Sequence, residues 1–210
     1  SWDVSNVTNM RGMFSSPVTP FNYNVSGWDV SSVTNMGQMF EGQLTFNQDI
    51  SGWDVSNVTI MTGMFNLATS FNQDLSGWCV TNITSEPEIF ATNSNLTEAN
   101  KPLWGKEFKV ALTTGSNSQT VTATNAITDI VYTATPICAG SISASVSGLP
   151  SGVTLAFGNN IATISGSANA TGTFNYTVTI SGATTSEVVT GTITVNASAV
   201  ASSISFVNGT

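Results

Sequence analysis

Residues 53–65 read Trp-Asp-Val-Ser-Asn-Val-Thr-Ile-Met-Thr-Gly-Met-Phe, and this stretch decides the fold of the first half of the chain. Related copies begin at Trp2 and Trp28, and an altered copy begins at Trp78. The four tryptophans are 26, 25 and 25 residues apart. A fixed period of this length is typical of stacked repeats, in which each unit covers the apolar face of its neighbour.

Each unit has a pattern that predicts a short strand and then a short helix. Residues 50–58 have the L-x-x-L-x-L spacing of a leucine-rich repeat. Alternation places Trp53 and Val55 on the inner face of a strand and Asp54 on the outer face. Thr59 occupies the position of a helix N-cap, and the residues after it are spaced as on one helical face: Met61, Met64 and Phe65.

Stacking such units predicts a short solenoid, with a parallel sheet on one side and helical turns on the other. Rows of large apolar residues at equivalent positions are more often core than ligand sites, so we assign them to the interior. The predicted repeat core is Trp2, Trp28, Trp53, Trp78, Phe14, Phe40 and Phe65.

Three aspartates, Asp3, Asp29 and Asp54, occupy the outward position of successive predicted strands. Neighbouring strands are about 4.8 Å apart, so carboxylates in this column raise the pKa of one another. Two interpretations stay open. Each aspartate accepts local hydrogen bonds that fix a turn, or the column binds calcium, which takes oxygen ligands. Asp49 and Asp74 form a second, shorter column.

Cys79 and Cys138 are the only two cysteines of the chain. They allow one disulfide, which an exported protein retains. Because the two residues lie in different halves of the sequence, this bond would join the halves. The alternative is a pair of unbonded, half-buried thiols.

The long motif W-D-V-S-N-V-T-x-M-x-x-M-F, followed by F-N-Q-D-[IL]-S-G, recurs in register over residues 1–90. It resembles the BspA-type leucine-rich repeat of bacterial surface proteins. The resemblance implies a secreted or cell-surface protein that adheres to host proteins, other cells or matrix. The fourth copy departs from the motif at Cys79, Glu86 and Ile89, which indicates a degenerate C-terminal capping repeat.

The second half changes to short alternating segments punctuated by Gly, Pro, Asn and Ser, which predicts seven or eight strands in an antiparallel β-sandwich. Residues 147–178 resemble the immunoglobulin-like repeats of large bacterial surface proteins, which implies a spacer or stalk module. The predicted fold class is therefore a short leucine-rich-repeat-type α/β solenoid followed by an all-β immunoglobulin-like sandwich. The predicted domains are residues 1–104 and 105–197, with a linker to a further module at 198–210.

Composition excludes several kinds of partner. Charged residues make up only 8% of the chain, the net charge is -8, and four residues are basic. Nucleic acid and anionic membrane surfaces both require Lys and Arg. No apolar run reaches the roughly 18 residues that would span a membrane. Three of the basic residues, Lys101, Lys106 and Lys109, cluster between the halves, where we expect them to pair with Glu98 and Glu107.

Catalytic chemistry is not evident in the sequence. Histidine is absent, which removes the commonest general base and metal ligand. There is no Cys-x-x-Cys pair for zinc and no phosphate-binding glycine loop. We therefore expect no enzyme activity and no cofactor, with calcium as the one ion to test.

The sequence thus predicts a non-catalytic fragment of an exported bacterial surface protein, located outside the cell. Its repeat surface would bind proteins, cells or matrix through many weak contacts that add in avidity. One alternative is a purely structural stalk or filament module. Another is a glycan-capturing surface protein, which an exposed aromatic row beside the Asp column would favour. The resemblance also implies export by a dedicated route such as type IX secretion, with transient contacts to that machinery.

Overall fold

The structure is a computed structural model that describes residues 2–199. The chain divides into two compact units. The first contains the residues up to Lys109 together with Thr135–Ser141 and Gly182–Thr185. The second contains Val110–Ala134, Ile142–Ser181 and, among the described residues, 186–199. Most of the predicted linker at 198–210 lies outside the described residues.

The first unit, here called the repeat unit, is a stack of coils joined by hydrogen bonds between equivalent residues of successive repeats. Over residues 2–107 it has neither an α-helix nor an extended strand. Isolated parallel bridges join Asn35 to Asn9 and to Ile60. Its one short helix is a 3-10 turn at Glu98–Asn100. The predicted leucine-rich-repeat-type α/β solenoid is therefore wrong.

The segment predicted as helix forms consecutive tight turns instead. The Met64 N–H donates to the Met61 carbonyl, but the Phe65 N–H leaves its own repeat and donates to the Phe90 carbonyl at 2.8 Å. Gly63 has a φ of 64°, a left-handed conformation that a right-handed helix cannot contain. The apolar spacing therefore belongs to turns that point their side chains inward. The same left-handed position is occupied in earlier repeats by Gly12 and Gln38.

The segment predicted as a strand is also made of turns. The Trp53 N–H donates to the Ile50 carbonyl at 3.1 Å, and the Val58 N–H donates to the Val55 carbonyl at 2.9 Å. Between these turns, the side chain of Asp54 accepts a local hydrogen bond. Such side-chain contacts to nearby backbone compete with a strand ladder, and here they replace it.

Aromatic side chains fill the interior of the repeat unit. Phe40 and Phe65 are fully buried, and Phe65 stacks on Phe71 with ring centroids 4.0 Å apart. Trp53 and Trp78 are also buried. Each indole N–H donates to a carbonyl of the preceding repeat, Val25 O for Trp53 and Ile50 O for Trp78.

The predicted core residues at the start of the chain are less buried than the equivalent residues of the later repeats. Trp2 is 65% exposed, while Phe14 and Trp28 are only partly buried. The physical reason is that burial of these positions depends on the repeat before, which supplies both the covering side chains and the carbonyl for the indole N–H. Trp2 stands at the start of the given sequence and is less covered there than Trp53 and Trp78.

Within residues 2–199, eight strands follow the repeats. They form two four-stranded sheets with the orders β1-β3-β6-β5 and β2-β8-β7-β4. Strand β2 runs parallel to β8, whereas the pairs β3–β6, β5–β6, β4–β7 and β7–β8 are antiparallel. This arrangement fits the predicted immunoglobulin-like sandwich in part. The strands are β1 Phe108–Thr114, β2 Ser118–Thr122, β3 Ile130–Pro136, β4 Ser143–Ser147, β5 Val153–Gly158, β6 Ile161–Gly166, β7 Gly172–Ser181 and β8 Ser186–Asn196.

The interior of the sandwich is made by the alternate residues of facing strands. In β7 the inward positions Tyr176, Val178 and Ile180 are buried, and the residues between them are more exposed. The period of two is the reason these segments form strands rather than helices, since it places one apolar row on one face. Ile164 of β6 and Ile193 of β8 complete this buried layer.

Candidate functional site

The three aspartates of the outward column each bind the serine two residues later. Asp3, Asp29 and Asp54 accept hydrogen bonds from both the backbone N–H and the hydroxyl of that serine. The hydroxyl distances are 2.6–2.7 Å. In the second column Asp49 makes the same pair of bonds to Ser51.

These contacts support the turn-fixing interpretation of the aspartates. Within residues 2–199 no three His, Cys, Asp or Glu side chains converge as a metal site requires. The column thus places Asp3, Asp29 and Asp54 on successive coils without bringing them into one coordination sphere.

Hydrogen bonding dominates the electrostatics of both columns. The serine hydroxyl, followed by the serine N–H, lowers the pKa of Asp3, Asp29, Asp49 and Asp74 below the ordinary value of 3.8. The negative charge of Asp3 raises the pKa of Asp29, but by less than these hydrogen bonds lower it. The expected repulsion between carboxylates therefore acts on Asp29, but the hydrogen bonds from Ser31 have the larger effect on its pKa.

These shifts predict acid sensitivity of the repeat unit. A carboxylate whose folded pKa is depressed contributes stability above its unfolded value of 3.8, and this stability is lost as the pH falls through the folded pKa. We expect the melting temperature to fall as the pH is lowered from about 5 to about 3. Asp29→Asn should reduce the slope of this dependence, whereas the exposed control Val188→Ala should not. Equal slopes in the wild type and Asp29→Asn would contradict the assignment.

Cys79 and Cys138 form a disulfide with a Cα–Cα distance of 5.0 Å. Both cysteines belong to the repeat unit, because the segment Thr135–Ser141 is part of it. The expected role of joining two halves is therefore corrected, since the bond holds this returning segment within the repeat unit.

One residue of the predicted basic cluster, Lys101, pairs with nearby glutamates. Lys101 contacts Glu86 at 2.7 Å and Glu98 at 2.6 Å, and its side chain is only 13% exposed. Desolvation lowers the pKa of Lys101, but the hydrogen bonds and charges of the two glutamates outweigh it and raise that pKa overall. Glu107 accepts hydrogen bonds from the N–H and hydroxyl groups of Thr184 and Thr185.

Aromatic side chains line a groove at the start of the given sequence, on the face that later repeats cover with the coil before. Trp2 is 65% exposed and Tyr23 is 75% exposed. The Trp2 and Trp28 rings stack with centroids 6.1 Å apart and planes inclined by 23°. The groove has a volume of about 630 Å³ and is lined by Trp2, Phe21, Tyr23, Asn24, Val25, Ser26, Gly27 and Trp28.

The sequence does contain a signal for this groove. Where the second and third repeats have Gln48 and Gln73, the first has Tyr23. In the next position, where those repeats have Asp49 and Asp74, the first has Asn24. Both departures lie in the groove, so one repeat has exchanged an amide and a carboxylate for an aromatic ring and a neutral amide.

The fold defines a two-unit protein with a turn-based repeat stack and a β-sandwich. Residues 1–103, just under half of the chain, match the family described as "Mycoplasma protein of unknown function, DUF285". No curated protein matches the chain. Within residues 2–199 no helix has the length and hydropathy needed to cross a bilayer.

Several solved structures resemble part of the chain at low identity. A chimeric titin Z1Z2 carrying an exogenous decorin peptide is 14% identical, with a TM-score of 0.34, over 43% of this chain and 98% of that one. The titin M3 domain is 14% identical, with a TM-score of 0.32, over 42% and 94%. An endo-fucoidan hydrolase of glycoside hydrolase family 107 is 14% identical, with a TM-score of 0.35, over 50% and 16%. These likenesses carry no conclusion about function.

Proposed function

We propose that this chain is a non-catalytic ligand-binding part of an exported bacterial surface protein, and that it binds its partners outside the cell through the repeat unit. The observation that carries this proposal is the regular outer surface of the repeat unit, on which Asp29, Asp54 and the serines that bond them recur on successive coils. A repeated surface of this kind can add many weak contacts in avidity.

Two further features support the proposal. The disulfide between Cys79 and Cys138 is of a kind that persists in oxidising compartments, which fits an exported protein. The match to a bacterial repeat family agrees with a bacterial origin. The export route, including type IX secretion, stays a prediction from the resemblance.

The repeat unit is also built as a rigid support. Hydrogen bonds between successive repeats recur along the stack, for example from Phe14 N–H to Met39 O and from Phe40 N–H to Met64 O. A preorganised surface loses less conformational entropy on binding than a flexible one. This rigidity favours a binding role, although a stalk module would share it.

Retention of partners on immobilised protein tests the proposed function. The intact chain on beads should retain bacterial cells, host cells, matrix proteins or polysaccharides above the level of beads carrying an unrelated protein of similar charge. Each assay is run with calcium and with a chelator, and the turn-fixing role of the aspartates predicts equal retention in both. Absence of retention from every preparation would overturn the proposal and favour a structural stalk.

A further inference from the structure

We propose that the Cys79–Cys138 disulfide is a covalent bypass for tension, which keeps residues 80–137 out of the load and directs the load into the sheet β2-β8-β7-β4. A surface protein that holds a partner is pulled whenever the partner moves. This inference goes beyond the proposed function, because it concerns how the chain carries force and not what the chain binds.

The disulfide shortens the path along which tension passes. Tension applied to the two ends of a chain is carried by the shortest covalent connection between them. Cys79 and Cys138 are 59 residues apart in the sequence, but their Cα atoms are only 5.0 Å apart. The chain between them would span about 200 Å when fully extended. While the disulfide is intact, this length cannot be drawn out of the protein.

The residues between the cysteines, 80–137, are here called the closed loop. They include most of the altered fourth repeat and the strands β1, β2 and β3. Cys79 occupies the position at which earlier repeats have Asp29 and Asp54. Those aspartates bond a serine two residues later, whereas Cys79 bonds a residue that follows β3. The fourth repeat therefore has a long-range covalent link where the earlier repeats have a local turn contact.

Beyond the disulfide, tension enters and leaves the sheet β2-β8-β7-β4 at opposite ends. After Cys138 the chain enters β4 at Ser143, which pairs with Ser181, the last residue of β7. Ser181 also pairs with Ser186, the first residue of β8. The starts of β4 and β8 therefore lie at one end of the sheet, and the chain leaves β8 at the other end, at Asn196. Tension thus pulls β4 and β8 lengthwise in opposite directions.

A lengthwise pull makes the hydrogen bonds of the sheet share the load. These bonds run perpendicular to antiparallel strands, so sliding one strand along another acts on all of them together. Strand β7 lies between β4 and β8 and pairs with β8 over Gly172–Ser181. Strand β2 pairs with Thr192–Asn196 at the end of β8. Because β2 belongs to the closed loop, tension does not pull it away from β8 while the disulfide is intact.

Glu107 fastens the point at which tension enters. Its backbone carbonyl accepts a hydrogen bond from the Cys138 N–H at 3.0 Å. Its carboxylate accepts bonds from the N–H and hydroxyl groups of Thr184 and Thr185, all at 3.1 Å. Thr185 directly precedes β8. One residue therefore joins the returning segment Thr135–Ser141 to the turn before β8, and both belong to the repeat unit.

Single-molecule extension of the intact chain tests the bypass. Handles are attached to both ends of the chain, and the length released by complete unfolding is measured before and after a reducing agent is added. We expect reduction to add about 200 Å to this length. The double variant Cys79→Ser/Cys138→Ser should show the longer length without reduction and should not respond to the reducing agent.

Moving one handle along β4 tests the direction of loading. The handle is attached through an azide-bearing residue, which leaves the cysteines untouched. At Ser143, the first residue of β4, it pulls the strand lengthwise against β7. At Ser147, the last residue, it pulls the strand back from its other end, so β4 separates from β7 one residue pair at a time. We expect a clearly lower unfolding force with the handle at Ser147 than with the handle at Ser143.

Two outcomes would overturn the inference. Equal released lengths before and after reduction would contradict the bypass, and equal unfolding forces at Ser143 and Ser147 would contradict lengthwise loading of the sheet. Reduction is applied to wild-type chains that folded in the oxidised state, so this result does not depend on whether the double variant folds. The bead assay of the proposed function involves no change in the disulfide, so either proposal can fail while the other stands.

Discussion

Replacing Phe65 by alanine should lower the free energy of unfolding of the repeat unit by about 3–5 kcal/mol, the usual cost of removing a buried phenylalanine ring. Phe65 is fully buried. Its ring stacks on Phe71 at 4.0 Å and on Phe40 at 5.8 Å, and meets Phe90 edge-on at 5.5 Å. Removing the Phe65 ring therefore leaves a cavity bordered by three neighbouring rings. Because these rings are held in a regular stack, we expect them not to move in and fill the cavity.

The equivalent residue of the first repeat is a matched control. Phe14 is only partly buried, so Phe14→Ala should cost clearly less than Phe65→Ala. Denaturant unfolding followed by tryptophan fluorescence measures both, because all five tryptophans lie at or before Trp104 and report on the repeat unit. Equal losses of unfolding free energy in the two variants would contradict the deeper burial of Phe65.

Removing the disulfide should cost about 4 kcal/mol, because the cysteines are 59 residues apart and the bond restricts a loop of that length in the unfolded chain. The double variant Cys79→Ser/Cys138→Ser removes the bond without leaving a free thiol. Its repeat unit should unfold at a lower denaturant concentration than that of the oxidised wild type.

Reduction supplies the control for this prediction. A reducing agent should lower the stability of the wild type to near that of the double variant, and should leave the variant itself unchanged. A wild type whose stability is insensitive to reduction would contradict a structural role for this bond.

Strand positions in the second half could be predicted closely from the sequence. Alternation predicts a strand at 161–165, and β6 occupies Ile161–Gly166. It also predicts a strand at 172–180, and β7 occupies Gly172–Ser181. Strict alternation of apolar and polar residues places all apolar side chains on one face only in an extended strand, so this pattern is nearly specific to strands.

The repeat half was predictable in its period and in most of its interior, but not in its backbone. Trp53, Trp78, Phe40 and Phe65 are buried as expected. The helix was wrong because the i, i+3, i+4 spacing of apolar residues also suits turns that close every three residues, and Gly63 in the left-handed region selects the turns. A spacing pattern records which side chains point inward, and it does not record which backbone hydrogen bonds are made.

The candidate site, like the repeat half, was only partly predictable from the sequence. The local bonds of Asp29 and Asp54 were one of two open interpretations, because an aspartate with a serine two residues later has the elements of such a turn. Calcium binding by the column was the other interpretation, and within residues 2–199 no three His, Cys, Asp or Glu side chains converge.

By itself, the sequence determined the period of the repeats, the inward set of large side chains and the alternation that makes the sandwich strands, since each depends on contacts within one unit or between identical units. The tertiary structure alone decided that the coils are turns joined across repeats and that Cys79 bonds Cys138 within the repeat unit. Each of these depends on what lies against a residue from a distant part of the chain, which spacing along the sequence does not specify.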